Sequence, residues 1–293
     1  MSARPALEDR IAGAPISWGV CEVPGWGHQL AVERVLTEMR AVGLSATEFG
    51  PEGFLPDDPA SKAAVLAKHG LAAVGGFVPV VLHEGGHDPL AEVDRALDGF
   101  VATGARVLVL AAATGASGYD DRPTLDDVAW KRLFDNLDRL VERASQRGVQ
   151  ACLHPHVGTI VESYEDVRRV LDSSGVPLCV DTGHLMIGGT DPAALVREAT
   201  DRVVHTHLKD VDRAWAMRVQ RGDVTYTAAV VGGMYRPLGH GDVDIAGIVA
   251  TLEADGYAGW HVLEQDTVLT GDPEGEGPVQ DVRASVAYLR GLA

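Results

Sequence analysis

Basic side chains are scarce in this sequence. Lys and Arg total 25 against 42 Asp and Glu, for a formal net charge of −17. Sequence-independent binding to nucleic acid rests on clustered Lys and Arg, so DNA, RNA and anionic membrane surfaces are excluded as expected partners. The same charge favours neutral substrates over phosphorylated ones. Cysteine is nearly absent. Cys21, Cys152 and Cys179 are an odd number without C-x-x-C spacing, which argues against a disulfide framework and a thiolate metal centre. Nowhere does an uninterrupted apolar run approach the roughly eighteen residues of a membrane span. The opening ten residues carry charges with no apolar stretch behind them, so a secretory leader is not expected and a cytoplasmic location is. No G-x-G-x-x-G opens a helix, which removes the usual dinucleotide-binding signal. Internal repeats, low-complexity stretches and linkers are also missing.

What is present is a repeating alternation. Short β-branched or aliphatic runs at 12–18, 45–49, 71–78, 106–112, 149–154, 177–181, 202–208 and 260–264 are separated by amphipathic patterns. The patterns near 28–42, 59–69, 87–103, 124–147, 163–173, 190–199, 244–255 and 278–291 predict helices. Gly43, Gly70 and Gly148 stand where helices should end, and Asp191-Pro192 reads as an N-cap followed by Pro at the first helical position. Eight strands, each followed by a helix, predict an α/β protein built as a single (β/α)₈ barrel spanning 1–293. Residues 209–243 break the rhythm and are expected to form a long loop over the C-terminal face, where a connection of that length is usually functional.

Barrel enzymes carry their reactive groups at the C-terminal ends of strands. Polar residues that close apolar runs here are Glu48, His154 with His156, Asp181, His207 and Glu264. Imidazole and carboxylate together, without thiolate, form a divalent-metal set. Asp181, His207 and Glu264 are the first ligands, with His154 as the fourth. Mn²⁺ or Co²⁺ is the expected ion, with Zn²⁺, Fe²⁺ or Mg²⁺ as alternatives. Taken singly, each residue has a bland explanation: Asp181 a helix-capping turn, His207 or His205 a barrel-interior histidine, Glu264 a loop salt bridge. Their coincidence at successive strand ends carries the metal reading. His156, two residues beyond His154, is a candidate general acid or base. Lys209 either meets a substrate hydroxyl or enolate oxygen or pairs with Asp210 or Asp212 at the rim. His184 is placed near the ion through Asp181. Trp18, Trp26 and Phe54 are candidate apolar walls against a carbon ring, and Glu48 and His184 candidate contacts to substrate.

Six segments carry a family resemblance: Ala14-Pro15-Ile16-Ser17-Trp18-Gly19, Ala46-Thr47-Glu48-Phe49-Gly50, Leu153 to Thr159, Val180-Asp181-Thr182-Gly183-His184, His205-Thr206-His207-Leu208-Lys209-Asp210 and Gly259 to Asp266. In order and over nearly the whole chain they resemble the xylose isomerase-like barrel superfamily, and within it the inosose (2-keto-myo-inositol) dehydratases. The superfamily's Glu-Asp-His-Glu metal set maps onto Asp181, His207 and Glu264. His154 stands where many relatives have Glu, which weakens a reading that needs paired glutamates. The resemblance implies a metal-dependent lyase that dehydrates a keto-inositol or related keto-sugar through an enediolate, with Glu264 or His156 taking the carbon proton. Alternatives within the superfamily are a keto-sugar isomerase or epimerase and a 3-keto-glycoside (C-glycoside) deglycosidase subunit. A homo-oligomer is likewise an expectation from resemblance.

Overall fold

The computed structural model describes residues 4–116 and 118–293; Met1, Ser2 and Ala3, part of the opening stretch in which no leader is expected, lie outside the described residues. In chain order the elements are β1 (Ile11–Gly13), α1 (Val32–Ala41), β2 (Ala46–Thr47), α2 (Pro59–Lys68), β3 (Ala72–Ala73), β4 (Gly75–Val81), α3 (Leu90–Thr103), β5 (Val107–Ala113), α4 (Asp127–Gln146), β6 (Gln150–Leu153) and α5 (Tyr164–Ser173). Then follow β7 (Leu178–Asp181), α6 (Thr182–Ile187), α7 (Pro192–Glu198), β8 (Val203–Leu208), β9 (Asp210–Val211), α8 (Arg213–Gln220), α9 (Tyr226–Val231), β10 (Tyr235–Arg236), α10 (Ile245–Ala254), β11 (His261–Leu263) and α11 (Val279–Arg290).

The main sheet runs β3-β2-β1-β11-β8-β7-β6-β5-β4 and is parallel throughout. Its two outer segments, β3 and β4, are halves of one strand broken at Val74. The Val74 amide donates to Thr47 on one side and its carbonyl accepts from Arg106 on the other, each at 3.0 Å, so the sheet closes into the expected eight-stranded barrel. Parallel strands buried on both faces read as continuous apolar runs, which is the pattern of Val107-Leu108-Val109-Leu110-Ala111-Ala112. The surrounding helices each bury one stripe. In α4, Trp130, Leu133, Leu137, Leu140 and Ala144 recur at the three- and four-residue spacing that faces the barrel.

Local signals set the helix boundaries. Asp58, Asp126 and Asp191 side chains accept backbone N–H groups at the starts of α2, α4 and α7, and Ser163 forms a reciprocal capping box with Asp166 at the start of α5. Gly43, Gly70 and Gly148 adopt φ of 87°, 65° and 72°, the left-handed conformation that ends a helix without a Cβ penalty.

Three expectations are corrected. The first strand stops at Gly13 instead of running to residue 18, because Pro15 has no N–H to donate to a ladder and Pro15–Trp18 winds into a 3₁₀ turn closed by Gly19 at φ 79°. An additional helix, α6, starts directly after β7. Residues 209–243 are not a loop. They contain α8, α9 and an antiparallel β9–β10 pair, organised by the buried Asp210 carboxylate. Asp210 Oδ1 accepts from the Val211 and Val243 amides (3.0 and 3.1 Å) and Oδ2 from those of Gly239 and Gly241 (2.8 and 2.9 Å). A Cβ on Gly241 would meet Asp210 Oδ1 at 2.2 Å, so only glycine lets the chain return that closely. No helix among the described residues is long and apolar enough to cross a membrane.

Candidate metal centre and cleft

Four adjacent strands, β6, β7, β8 and β11, bring the sequence-predicted ligands together. Asp181 and His207 are direct cross-strand partners at the ends of β7 and β8. Leu263 pairs with Leu208, which puts Glu264 one residue further along at the same mouth. His154 follows β6 immediately. The consequence is close convergence in the barrel interior. His154 Nε2 lies 3.3 Å from Asp181 Oδ2, and His207 Nδ1 lies 3.7 Å from Asp181 Oδ2 and 3.2 Å from Glu264 Oε2.

These atoms test whether the residues suit a divalent ion. His154 Nε2, Asp181 Oδ2 and His207 Nδ1 are buried, and among the described residues none makes a well-directed hydrogen bond. Buried polar atoms without partners are uncommon and costly, and a divalent cation is one group that would satisfy them. One ligand atom from each of Asp181, His207 and Glu264 fits within 4.8 Å of the others. Charge agrees: Glu48, Asp181, Glu264 and Asp266 are all buried here, with Lys209 the one buried ammonium among them. Mixed imidazole nitrogen and carboxylate oxygen is the donor chemistry of first-row divalent ions.

The field also shows in proton affinities. Burial pushes Glu264 up to about 7, against the opposing pull of His207 and Lys209. His154 is pushed down to about 4 by the same burial, which leaves its imidazole neutral and able to ligate at neutral pH. His207 moves the other way: burial resists its charge, but the Glu264 and Glu48 carboxylates raise it well above the ordinary histidine value.

Asp181 serves two structures at once. Oδ1 accepts from the Gly183 and His184 amides at 2.9 and 2.8 Å, starting α6, and Oδ2 is left for the cluster. Lys209 is not paired with Asp210 or Asp212. Its Nζ sits 2.7 Å from Asp266 Oδ1, 3.2 Å from Glu264 Oε2 and 3.3 Å from Asp181 Oδ2, and donates to His184 Nε2 at 3.0 Å. Burial disfavours the ammonium, yet these carboxylates hold its pKa well above the ordinary lysine value. His156 donates from Nδ1 to its neighbour's carbonyl, Val157 O, at 2.6 Å, which leaves Nε2 with a lone pair. Its ring stacks on His184, with centroids 3.6 Å apart, and burial keeps it neutral.

A cleft of about 590 Å³, counted out to its open mouth, leads to this cluster and is lined by His154, His156, His207, Lys209, Glu264, Glu48 and Asp266 together with Pro15, Ile16, Trp26, Phe77 and Tyr119. Trp26 therefore stands where an apolar wall was expected. Trp18 does not: it is fully buried in the core, its indole N–H donates to Glu38 Oε2 at 2.8 Å, and it does not line the cleft. Phe54 packs against the core outside the cleft lining, and His184 lies behind His156 and Lys209. Three contributors were not singled out from sequence: Asp266, whose Oδ2 accepts from the Tyr226 hydroxyl; Tyr226 of α9; and Tyr119, whose ring packs tilted at 45° against His156 with centroids 4.7 Å apart and whose hydroxyl donates to Glu22. Asp266 repeats the two-residue step of His154/His156 and His207/Lys209, and that period was the available signal.

A closed parallel barrel that gathers titratable side chains at the C-terminal mouth has the architecture of a barrel enzyme. The sequence model of the xylose isomerase-like TIM barrel family matches residues 36–292, and the chain belongs to that family. The chain is 30% identical over 290 residues to an inosose dehydratase of Lacticaseibacillus casei, covering 94% of each protein. It is 35% identical over 269 residues to the rhizopine catabolism protein MocC of Rhizobium meliloti, covering 88% of this chain and 81% of that one. Among solved structures it superposes on the IOLI protein with a binding zinc atom at TM-score 0.68 and 14% identity, covering 97% of each chain.

Proposed function

We propose that this chain is a divalent-metal-dependent hydro-lyase that removes water from a keto-inositol or a closely related cyclic polyhydroxy ketone through an enediolate. The relatives named inosose dehydratase support the substrate class. The observation that carries the metal reading is the convergence of Asp181, His207 and Glu264, one ligand atom of each within 4.8 Å of the others, with His154 Nε2 3.3 Å from Asp181 Oδ2. These four residues would hold the ion, which supplies Lewis-acid polarisation of a ketone and so acidifies the adjacent C–H.

The remaining steps belong to side chains. Neutral His156, with Nε2 unprotonated, takes the proton from the carbon next to the ketone. The imidazolium so formed passes that proton to the departing β-hydroxyl, which leaves as water and returns His156 to its starting state. Glu264, at the same mouth and in the cleft lining, is the alternative carrier of the carbon proton. Lys209 meets the negative charge that builds on the enediolate oxygen, and its three carboxylate neighbours keep it protonated for that task. Trp26, Phe77 and Tyr119 exclude water from the faces of the ring.

Turnover of 2-keto-myo-inositol by the wild type, Glu264→Gln and His156→Gln, with and without added Mn²⁺ or Co²⁺, tests this reading. Expected are activity that depends on the ion and a loss of at least about a hundred-fold in both variants at unchanged melting temperature. Wild-type rates in both variants, or in chelator, would overturn it.

A further inference from the structure

We propose that Glu48 is a positioning residue that fixes His207 with Nδ1 turned toward the ion site. Glu48 directly follows β2, on the strand two places beyond β11 in the sheet, and its carboxylate reaches across the barrel interior. One oxygen, Oε1, accepts from His205 Nε2 at 2.7 Å and from His207 Nε2 at 3.0 Å. A carboxylate oxygen only accepts, so each ring must carry its hydrogen on Nε2. For His207 this leaves Nδ1 as the atom that faces Asp181 and Glu264. A ring flip would break the bond to Glu48 and leave a buried carboxylate short of a donor.

A role in stability alone accounts poorly for this arrangement. All three side chains are buried, and an ionic cluster in a barrel interior stabilises no better than apolar residues of similar volume. Among the described residues His205 has no partner for Nδ1, so its side-chain hydrogen bond there is the bond that holds Glu48. Position in the cleft adds a second consequence. Glu48 lines the cleft, and its Oε2 makes no hydrogen bond among the described residues, so a substrate hydroxyl that binds there would share a carboxylate with a metal ligand.

This inference rests on the proposed cation site, and the test separates the two. Metal-free full-length wild type, Glu48→Leu and Glu48→Gln are titrated with Co²⁺, reading affinity by calorimetry and coordination by visible absorption, with urea denaturation of the metal-free proteins alongside. Wild type is expected to bind one Co²⁺. Glu48→Leu should bind about 10–100-fold more weakly, with an altered absorption spectrum. Glu48→Gln keeps an accepting oxygen and should lie between them with a near-wild-type spectrum. If Glu48→Leu does not fold, Glu48→Gln carries the test through a several-fold weaker affinity than wild type. Wild-type affinity and spectrum in the folded variants overturn the positioning role alone, whatever happens to urea stability; no Co²⁺ bound by wild type overturns the cation site as well.

Discussion

Replacing Asp181 by Asn separates the two tasks of that carboxylate. The variant keeps an acceptor for the Gly183 and His184 amides that start α6, while the anionic Oδ2 facing His154 and His207 is lost. An ion that binds only the native state stabilises it by RT ln(1 + [L]/Kd), about 2.7 kcal/mol at a hundred-fold excess over Kd. For 293 residues the unfolding entropy is roughly 0.6 kcal/mol/K, taking about 2.1 cal/mol/K per residue. Wild type should therefore melt about 4–5 °C higher when Mn²⁺ or Co²⁺ is present at that excess. Removing one charged partner from a buried site costs on the order of 3 kcal/mol, which brings the same ion concentration down to about Kd. The shift in Asp181→Asn then shrinks to about 0.4 kcal/mol, or less than about 1 °C. Differential scanning fluorimetry with and without the ion, and again after chelation, measures it. An equal upshift in the variant and the wild type would refute the role given to Asp181.

Other expectations concern the barrel floor, the excursion and the cleft. His261 is fully buried beside Glu253, at 3.2 Å, and burial lowers its pKa from 6.5 to about 4. The unfolded chain takes up a proton that the folded ring refuses, so this contribution to stability is intact above 6.5 and lost as pH falls toward 4. Urea denaturation should show wild type losing about 2 kcal/mol more than His261→Phe between pH 7 and about 4.5, and parallel pH profiles would contradict this. Asp210→Ala leaves four backbone N–H groups without their acceptor, so limited proteolysis should cut within 209–243 at least about tenfold faster than in wild type. Lys209, the one Lys or Arg in the cleft lining, is already flanked by three carboxylates. A ketohexose phosphate should consequently compete at least about tenfold more weakly than the unphosphorylated ketohexose, and stronger inhibition by the phosphate would show that the cleft is not selective against anions.

The barrel and the convergence of its strand-end side chains were legible because both rest on short-range patterns. Apolar runs end at His154, Asp181, His207 and Glu264, and parallel neighbours in a closed barrel place such ends side by side. The 209–243 excursion was less legible: its helices are short, at 8 and 6 residues, and its shape depends on Asp210 receiving amides some thirty residues away. Trp18 failed for a related reason. An aromatic beyond a strand end reads alike whether it faces the mouth or the helix layer, and the bond to Glu38 decides for the latter. Glu48 was visible as a strand-end carboxylate, but its contact with two imidazoles joins residues more than 150 positions apart. Only the closed barrel brings them together.

Incubation of the metal-loaded protein with 2-keto-myo-inositol in D₂O, followed by mass analysis of substrate and product, distinguishes loss of hydroxyl from return of the proton. Dehydration predicts a product lighter by one water and its accumulation at the expense of the ketone. Recovery of a ketone of undiminished mass apart from incorporated deuterium, with no dehydrated product, would contradict it and assign the barrel to proton exchange instead.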